Sequence, residues 1–221
     1  MFSFTKKRNT TKRLKLIIGG DGGVGKTSYF KALLGLNDAS YKHDRHYNAT
    51  PLNDFNMLTI NFQTNKGEII VDVWDTAGQE FNENDLRDAF ISCSDMVLLF
   101  YDVQTAQTRH NIEKWSKRIL SLCDSNIPII VVGNKMDKIK DESSRKSMMR
   151  ECRFPSLKNV KSILFSVRQR TTYNQTNKKG IQQILDPIEQ VLQRYTNDKY
   201  LIINSSEIIN SHLVNNKILK S

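Results

Sequence analysis

The run Gly19-Gly20-Asp21-Gly22-Gly23-Val24-Gly25-Lys26-Thr27-Ser28 leaves this chain few architectures. Residues 20–27 fit G-x-x-x-x-G-K-[ST] completely, and their setting fits as well. The apolar run "LKLIIGG", 14–20, reads as a buried strand that ends on the glycines. "KTSYFKALL", 26–34, reads as a helix, with Gly35 as its stop. Glycines let successive N–H groups curl around an anion at backbone angles that other residues resist. The helix beginning near Lys26 turns its positive end toward the same anion. Gly20, Asp21, Gly22, Gly23, Val24, Gly25, Lys26 and Thr27 are therefore expected to curl around a phosphate group. Lys26 is expected on the outer phosphates and the Thr27 hydroxyl on Mg²⁺.

The rest of the chain supplies a sheet for that loop. "MLTINFQ", 57–63, and "EIIVDVW", 68–74, read as a hairpin closed by "TNKG". "DMVLLFYDV", 95–103, and "IPIIVVGNK", 127–135, are near-continuous apolar runs suited to strands buried on both faces. "SILFS", 162–166, is a weaker strand. A helix is predicted at about 108–123, with Ile112, Trp115, Ile119 and Leu122 on one face. Another is predicted over 180–195, where Pro187 implies a kink or a late start. Alternating strands and helices mean a mostly parallel sheet covered on both faces, with ligands beyond the carboxyl ends of its strands. Residues 1–13 read as a basic tail, 14–196 as one domain and 197–221 as an extension of ambiguous structure. No internal repeat is present.

Two further motifs follow predicted strands. Asn134-Lys135-x-Asp137 places a carboxylate where it can accept two N–H bonds from a guanine edge, a pair that adenine does not offer. Lys135 is expected along the base. In "DTAGQE", 75–80, Asp75 can hold Mg²⁺ through water, the Gly78 N–H can sense a γ-phosphate, and Gln79 can orient an attacking water.

With these three motifs in this order, the chain resembles a Ras-superfamily small GTPase over residues 14–195. Within that superfamily it is most similar to the Ran subgroup, through "TNKGEIIVDVWDTAGQE", "LRDAF" and "LCDSNIPIIVVGNKMD". The resemblance implies a P-loop NTPase fold: an α/β domain with a six-stranded sheet, mostly parallel with one antiparallel strand, and helices on both faces. It implies GTP and GDP as ligands, Mg²⁺ as cofactor, and slow hydrolysis unless an activating protein helps. The run from Gly20 to Thr27, together with Ser28, would wrap the phosphates, and Gln79, Lys26 and Thr50 would carry the chemistry. Thr50, in "HYNATP", would join Thr27 and Asp75 at Mg²⁺, with Tyr47 over the phosphates. Ser166 and Val167 occupy the place of the family's Ser-Ala-Lys, whose middle N–H meets guanine O6. An exchange factor, an activating protein and importin-β-type transport receptors are the implied partners, and the switch is expected to be monomeric.

The sequence also departs from the family pattern. The loop before Thr50 is about five residues longer, Pro51 follows directly, "FNEND" replaces a shorter Gly-containing segment after Glu80, and Ran's acidic end is absent. These changes motivate a second reading, a Ran mimic that binds GTP and occupies receptors without cycling. Gly22 and Gln79 are both present, so hydrolysis is chemically open. In the small GTPases from which the value was obtained, an arginine from a partner adds about 10³ to 10⁵ in rate. Nothing obvious supplies one within this chain.

Composition bounds the remaining classes. At 221 residues, 38% hydrophobic, with ten Phe and seven Tyr, the chain can build a core without staples. Cys93, Cys123 and Cys152 follow no metal-ligand spacing and point to a reducing compartment. The net charge of +10 speaks of solubility and partners, not of fold. Its densest cluster, "KKRNTTKR" at 6–13, is read as a soluble tail rather than a nuclear address or nucleic-acid arm. Nucleic-acid binding is therefore not expected. No membrane-spanning run, myristoylation start or prenylation cysteine is present, which favours a soluble protein of cytoplasm or nucleus over a Rab-like traffic GTPase. His43, His46, His110 and His212 are read as surface residues, and Trp115 as core. Trp74 is either core or a partner contact.

Overall fold

The computed structural model describes residues 11–34, 56–76, 85–154, 157, 160–173, 181–197 and 203–207. The strands are β1 (Lys12–Gly20), β2 (Asn56–Thr64), β3 (Gly67–Asp75), β4 (Met96–Asp102), β5 (Ile129–Asn134), β6 (Val160–Ser166), β7 (Thr171–Thr172) and β8 (Ile203–Glu207). The helices are α1 (Lys26–Leu34), α2 (Asp85–Ser92), α3 (Ala106–Leu122), α4 (Glu142–Glu151) and α5 (Asp186–Tyr195). Among the described residues the sheet order is β7-β6-β5-β4-β1-β3-β2-β8.

The six expected strands form the body of this sheet. β1, β3, β4, β5 and β6 run parallel, and β2 returns antiparallel to β3. Two short antiparallel strands, β7 against β6 and β8 against β2, extend the edges beyond the six that were expected. β8 comes from the ambiguous extension. It pairs with Asn61–Thr64 and covers part of an edge that would otherwise present unpaired backbone groups.

Every residue of β4 and β5 is buried, as their unbroken apolar runs require. The period of two sorts their side chains into two cores. Leu14, Leu16 and Ile18 of β1, with Leu98 and Phe100 of β4, join Tyr29 and Phe30 of α1 and Ile188 and Val191 of α5. Ile17, Val97, Leu99 and Val131 point the other way, onto Ile112, Trp115 and Ile119 of α3. Of the alternatives for Pro187, the late start is found. A 3-10 turn over Ile181–Leu185 precedes α5, and Pro187 lies in the helix's first turn, where no N–H is needed.

Two helices appear where the periodicity named none. α4, "ESSRKSMMRE", has no apolar stripe, and its start is marked by Asp141, which accepts the Ser144 N–H at 2.6 Å. α2 is tied to α3 by a forked ion pair from Arg118 to Asp88, with N···O distances of 2.7 to 3.0 Å. Trp74 is half-buried against Phe90, ring centroids 5.1 Å apart, so the core alternative applies to much of it. His110 is exposed, in keeping with a surface role. Among the described residues no group of His, Cys, Asp and Glu forms a metal cluster, and no helix is long and apolar enough to cross a membrane.

Candidate nucleotide site

Five parallel strands deliver their carboxyl ends to one edge of the sheet, and the residues there converge. β1 ends in Gly20, β3 in Asp75, β4 in Asp102, β5 in Asn134 and β6 in Ser166. The phosphate loop leaves β1 with Gly20 at φ +125° and turns into α1 through Gly25 at φ +102°. Both lie in a region that L side chains rarely adopt, and a Cβ at Gly20 would collide with the Phe100 carbonyl of β4. Lys26 is 5% exposed, folded back into the loop. Its ammonium donates to Gly20 O at 2.9 Å and to Asp21 O at 2.7 Å, so the charge is held at the centre of the curl.

Thr27 and Asp75 meet behind the loop. Asp75 is fully buried, and neither carboxylate oxygen has a hydrogen-bond partner of normal geometry among the described residues. Burial pushes its pKa up to about 6, against the lowering pull of the Thr27 hydroxyl, the Lys26 ammonium and the Asn56 amide. A buried carboxylate with orphaned oxygens beside a hydroxyl is a hard oxygen donor set, which fits Mg²⁺.

The Asn134-Lys135-x-Asp137 motif is built as a girder between loops. Asn134 is buried, and its amide donates to Val24 O at 2.9 Å while its Oδ1 accepts the Val167 N–H at 3.1 Å. One side chain thus ties the phosphate loop to the loop after β6. The Val167 donor expected to face guanine O6 is engaged by Asn134 in this structure. Ser166 is fully buried, and its hydroxyl donates to Asp137 Oδ1 at 2.7 Å and accepts the Gln169 N–H at 3.1 Å, fixing the carboxylate. Lys135 sits at φ +71°, a strained angle for a residue with a side chain. Its ammonium pairs with Asp102 Oδ2 at 2.7 Å. Asp102 was not anticipated, because nothing in its local sequence distinguishes it from any acidic strand end.

Removing the girder tests its importance. Asn134→Ala is expected to destabilise the fold by about 3 kcal/mol, through two lost bonds and two buried groups left unpaired. A urea midpoint within error of the wild type would show that the loops hold without it.

The structure thus brings together Gly20–Ser28, Asp75, Asn134, Lys135, Asp137, Ser166 and Val167. Thr50, Tyr47, Gly78 and Gln79 lie outside the described residues. A strand–loop–helix phosphate cradle at the head of a mostly parallel sheet defines a nucleoside-triphosphate-binding domain. The Ras family model matches residues 15–185, and the chain belongs to the Ras family of small GTPases. GTP and GDP with Mg²⁺ as ligands, GTP hydrolysis, and control by exchange and activating proteins are general properties of that family.

Proposed function

We propose that this protein is a Ran-like GTP/GDP switch serving transport between cytoplasm and nucleus. The observation that carries the nucleotide assignment is Asp137, just beyond β5, whose Oδ1 is held by the Ser166 hydroxyl while Oδ2 has no hydrogen-bond partner among the described residues. The runs "TNKGEIIVDVWDTAGQE" and "LCDSNIPIIVVGNKMD" support the Ran-like reading. Lys26 and the loop N–H groups hold the phosphates. Thr27 and Asp75 hold Mg²⁺, with Thr50 added in the GTP state. When bound, the ion offsets charge on the phosphates. Gln79 orients the attacking water, and Thr50 and Gly78 report the γ-phosphate to the two switch loops. Importin-β-type receptors read the ordered loops.

The test uses Gln79→Leu protein loaded with GTP or with GDP, measured against an importin-β-type receptor. At least about 100-fold tighter binding of the GTP form is expected, a coupling of roughly 3 kcal/mol. Equal binding of both forms would leave a Ran mimic that does not switch. No binding in either form, with nucleotide retained, would remove the transport assignment and keep the GTPase.

A further inference from the structure

Asp21 is an odd residue for its position. It is the second residue of the loop that is proposed to gather a polyanion, and a carboxylate free to face phosphate would oppose binding. The structure turns it away. Asp21 Oδ2 accepts the Asn111 amide at 2.7 Å, and Oδ1 accepts the Trp115 indole N–H at 2.8 Å. Both donors come from α3, one turn apart on the same face. Asn111 is itself oriented, because its Oδ1 accepts from Gln107 at 3.0 Å. Trp115 is 4% exposed and fixed in the core under α3. Each oxygen of the carboxylate is therefore engaged by a donor on α3. At the same time the Asp21 carbonyl accepts from the Lys26 ammonium, which reaches back from α1 into the loop.

We propose that Asp21, Asn111 and Trp115 form a latch that sets how quickly the phosphate loop releases its nucleotide. The three are positioning residues, and the inference rests on the reading that this loop holds guanine nucleotide. Closed, the latch tethers the loop to α3 at two points and keeps a negative charge off the phosphates. Open, it frees the backbone that Lys26 grips and lets the carboxylate swing toward the phosphates. Both consequences act in the same direction, toward faster release. α3 also carries Arg118, which grips Asp88 of α2, so one helix holds both the phosphate loop and the helix that follows the second switch. A shift of α3 would therefore be felt at the phosphates.

The latch predicts a swap. Asn111→Asp sets two carboxylates against each other and is expected to speed release of fluorescent GDP, in Mg²⁺ buffer, by about tenfold or more, the equivalent of about 1.4 kcal/mol. The double variant Asp21→Asn/Asn111→Asp reverses donor and acceptor. The amide introduced at position 21 donates to the carboxylate introduced at position 111, and its carbonyl oxygen still accepts from Trp115. Release should then return to within about twofold to threefold of the wild type. Recovery of this kind is not expected if position 111 matters only for helix stability. An Asn111→Asp rate within twofold of the wild type overturns the latch. So does a fast single variant that the swap does not rescue. Should Asn111→Asp fail to fold, Asn111→Ala decides: release about threefold faster supports the latch, and an unchanged rate overturns it. If the wild type itself binds no GDP, the nucleotide reading fails, an outcome distinct from failure of the latch.

Discussion

Replacing Asp137 with asparagine is expected to lower GDP affinity by about 10³-fold and to create affinity for xanthosine diphosphate. The reasoning begins with the hydroxyl of Ser166, which donates to Asp137 Oδ1 and so fixes which oxygen faces the protein. An asparagine at 137 keeps its carbonyl on Ser166, because that partner is a donor. Its amide then stands where the second carboxylate oxygen was, presenting N–H to a base edge that also presents N–H. Two donors facing each other, out of water, form no bond and leave both groups unsatisfied. Xanthine carries a carbonyl where guanine carries its 2-amino group, so the new amide finds an acceptor there. The measurement is a pair of dissociation constants, for GDP and xanthosine diphosphate, on wild type and variant. If the variant still prefers GDP, Asp137 does not read the base, and the proposed nucleotide assignment loses its main support. Ser166→Ala offers a weaker companion, since the carboxylate would remain but lose its orientation.

What the sequence made legible, and what it did not, follows from how far each interaction reaches along the chain. β4 and β5 were evident because strands buried on both faces must be apolar at every position, and they are. The phosphate loop was evident because its chemistry is written in eight consecutive residues. The role of Pro187 was narrowed to two outcomes, and packing of Ile184, Leu185 and Ile188 around a 3-10 turn selected one of them. α4 escaped because it buries little and therefore shows no period. Its legible trace was the capping pair Asp141 and Ser144, three residues apart. β8 escaped because a short polar edge strand needs only backbone to pair. The Asp21 latch joins residues about 90 positions apart through side-chain atoms, and no local pattern carries such a contact. The same holds for Asn134, whose motif predicted a base-reading loop and whose geometry adds a brace between two loops.

Gly25→Ala is expected to cost about 3 to 5 kcal/mol of stability and to abolish nucleotide retention, whereas Gly19→Ala, six positions earlier, is expected to be tolerated. The contrast is geometric. A Cβ at Gly19 would meet nothing nearer than Leu99 Cδ2 at 3.9 Å, an ordinary contact, so the change is neutral or stabilising by up to about 1 kcal/mol. A Cβ at Gly25 would approach the Asn134 amide nitrogen far inside the contact distance of carbon and nitrogen, at a φ of +102° that alanine resists. Asn134 has little freedom to move. It is 2% exposed, and both ends of its amide are engaged, on Val24 O and the Val167 N–H. Displacing it breaks the brace between the phosphate loop and the loop after β6, which are the two sides of the proposed pocket. The steric share of this cost can be separated from the backbone share. In an Asn134→Ala background the colliding amide is absent, so adding Gly25→Ala should cost only the strain at φ, about 1 to 2 kcal/mol. Urea unfolding of the wild type, both single variants and the double variant measures the cycle. Full additivity would mean that Gly25 is required for its backbone angle alone, and that its close approach to Asn134 contributes nothing.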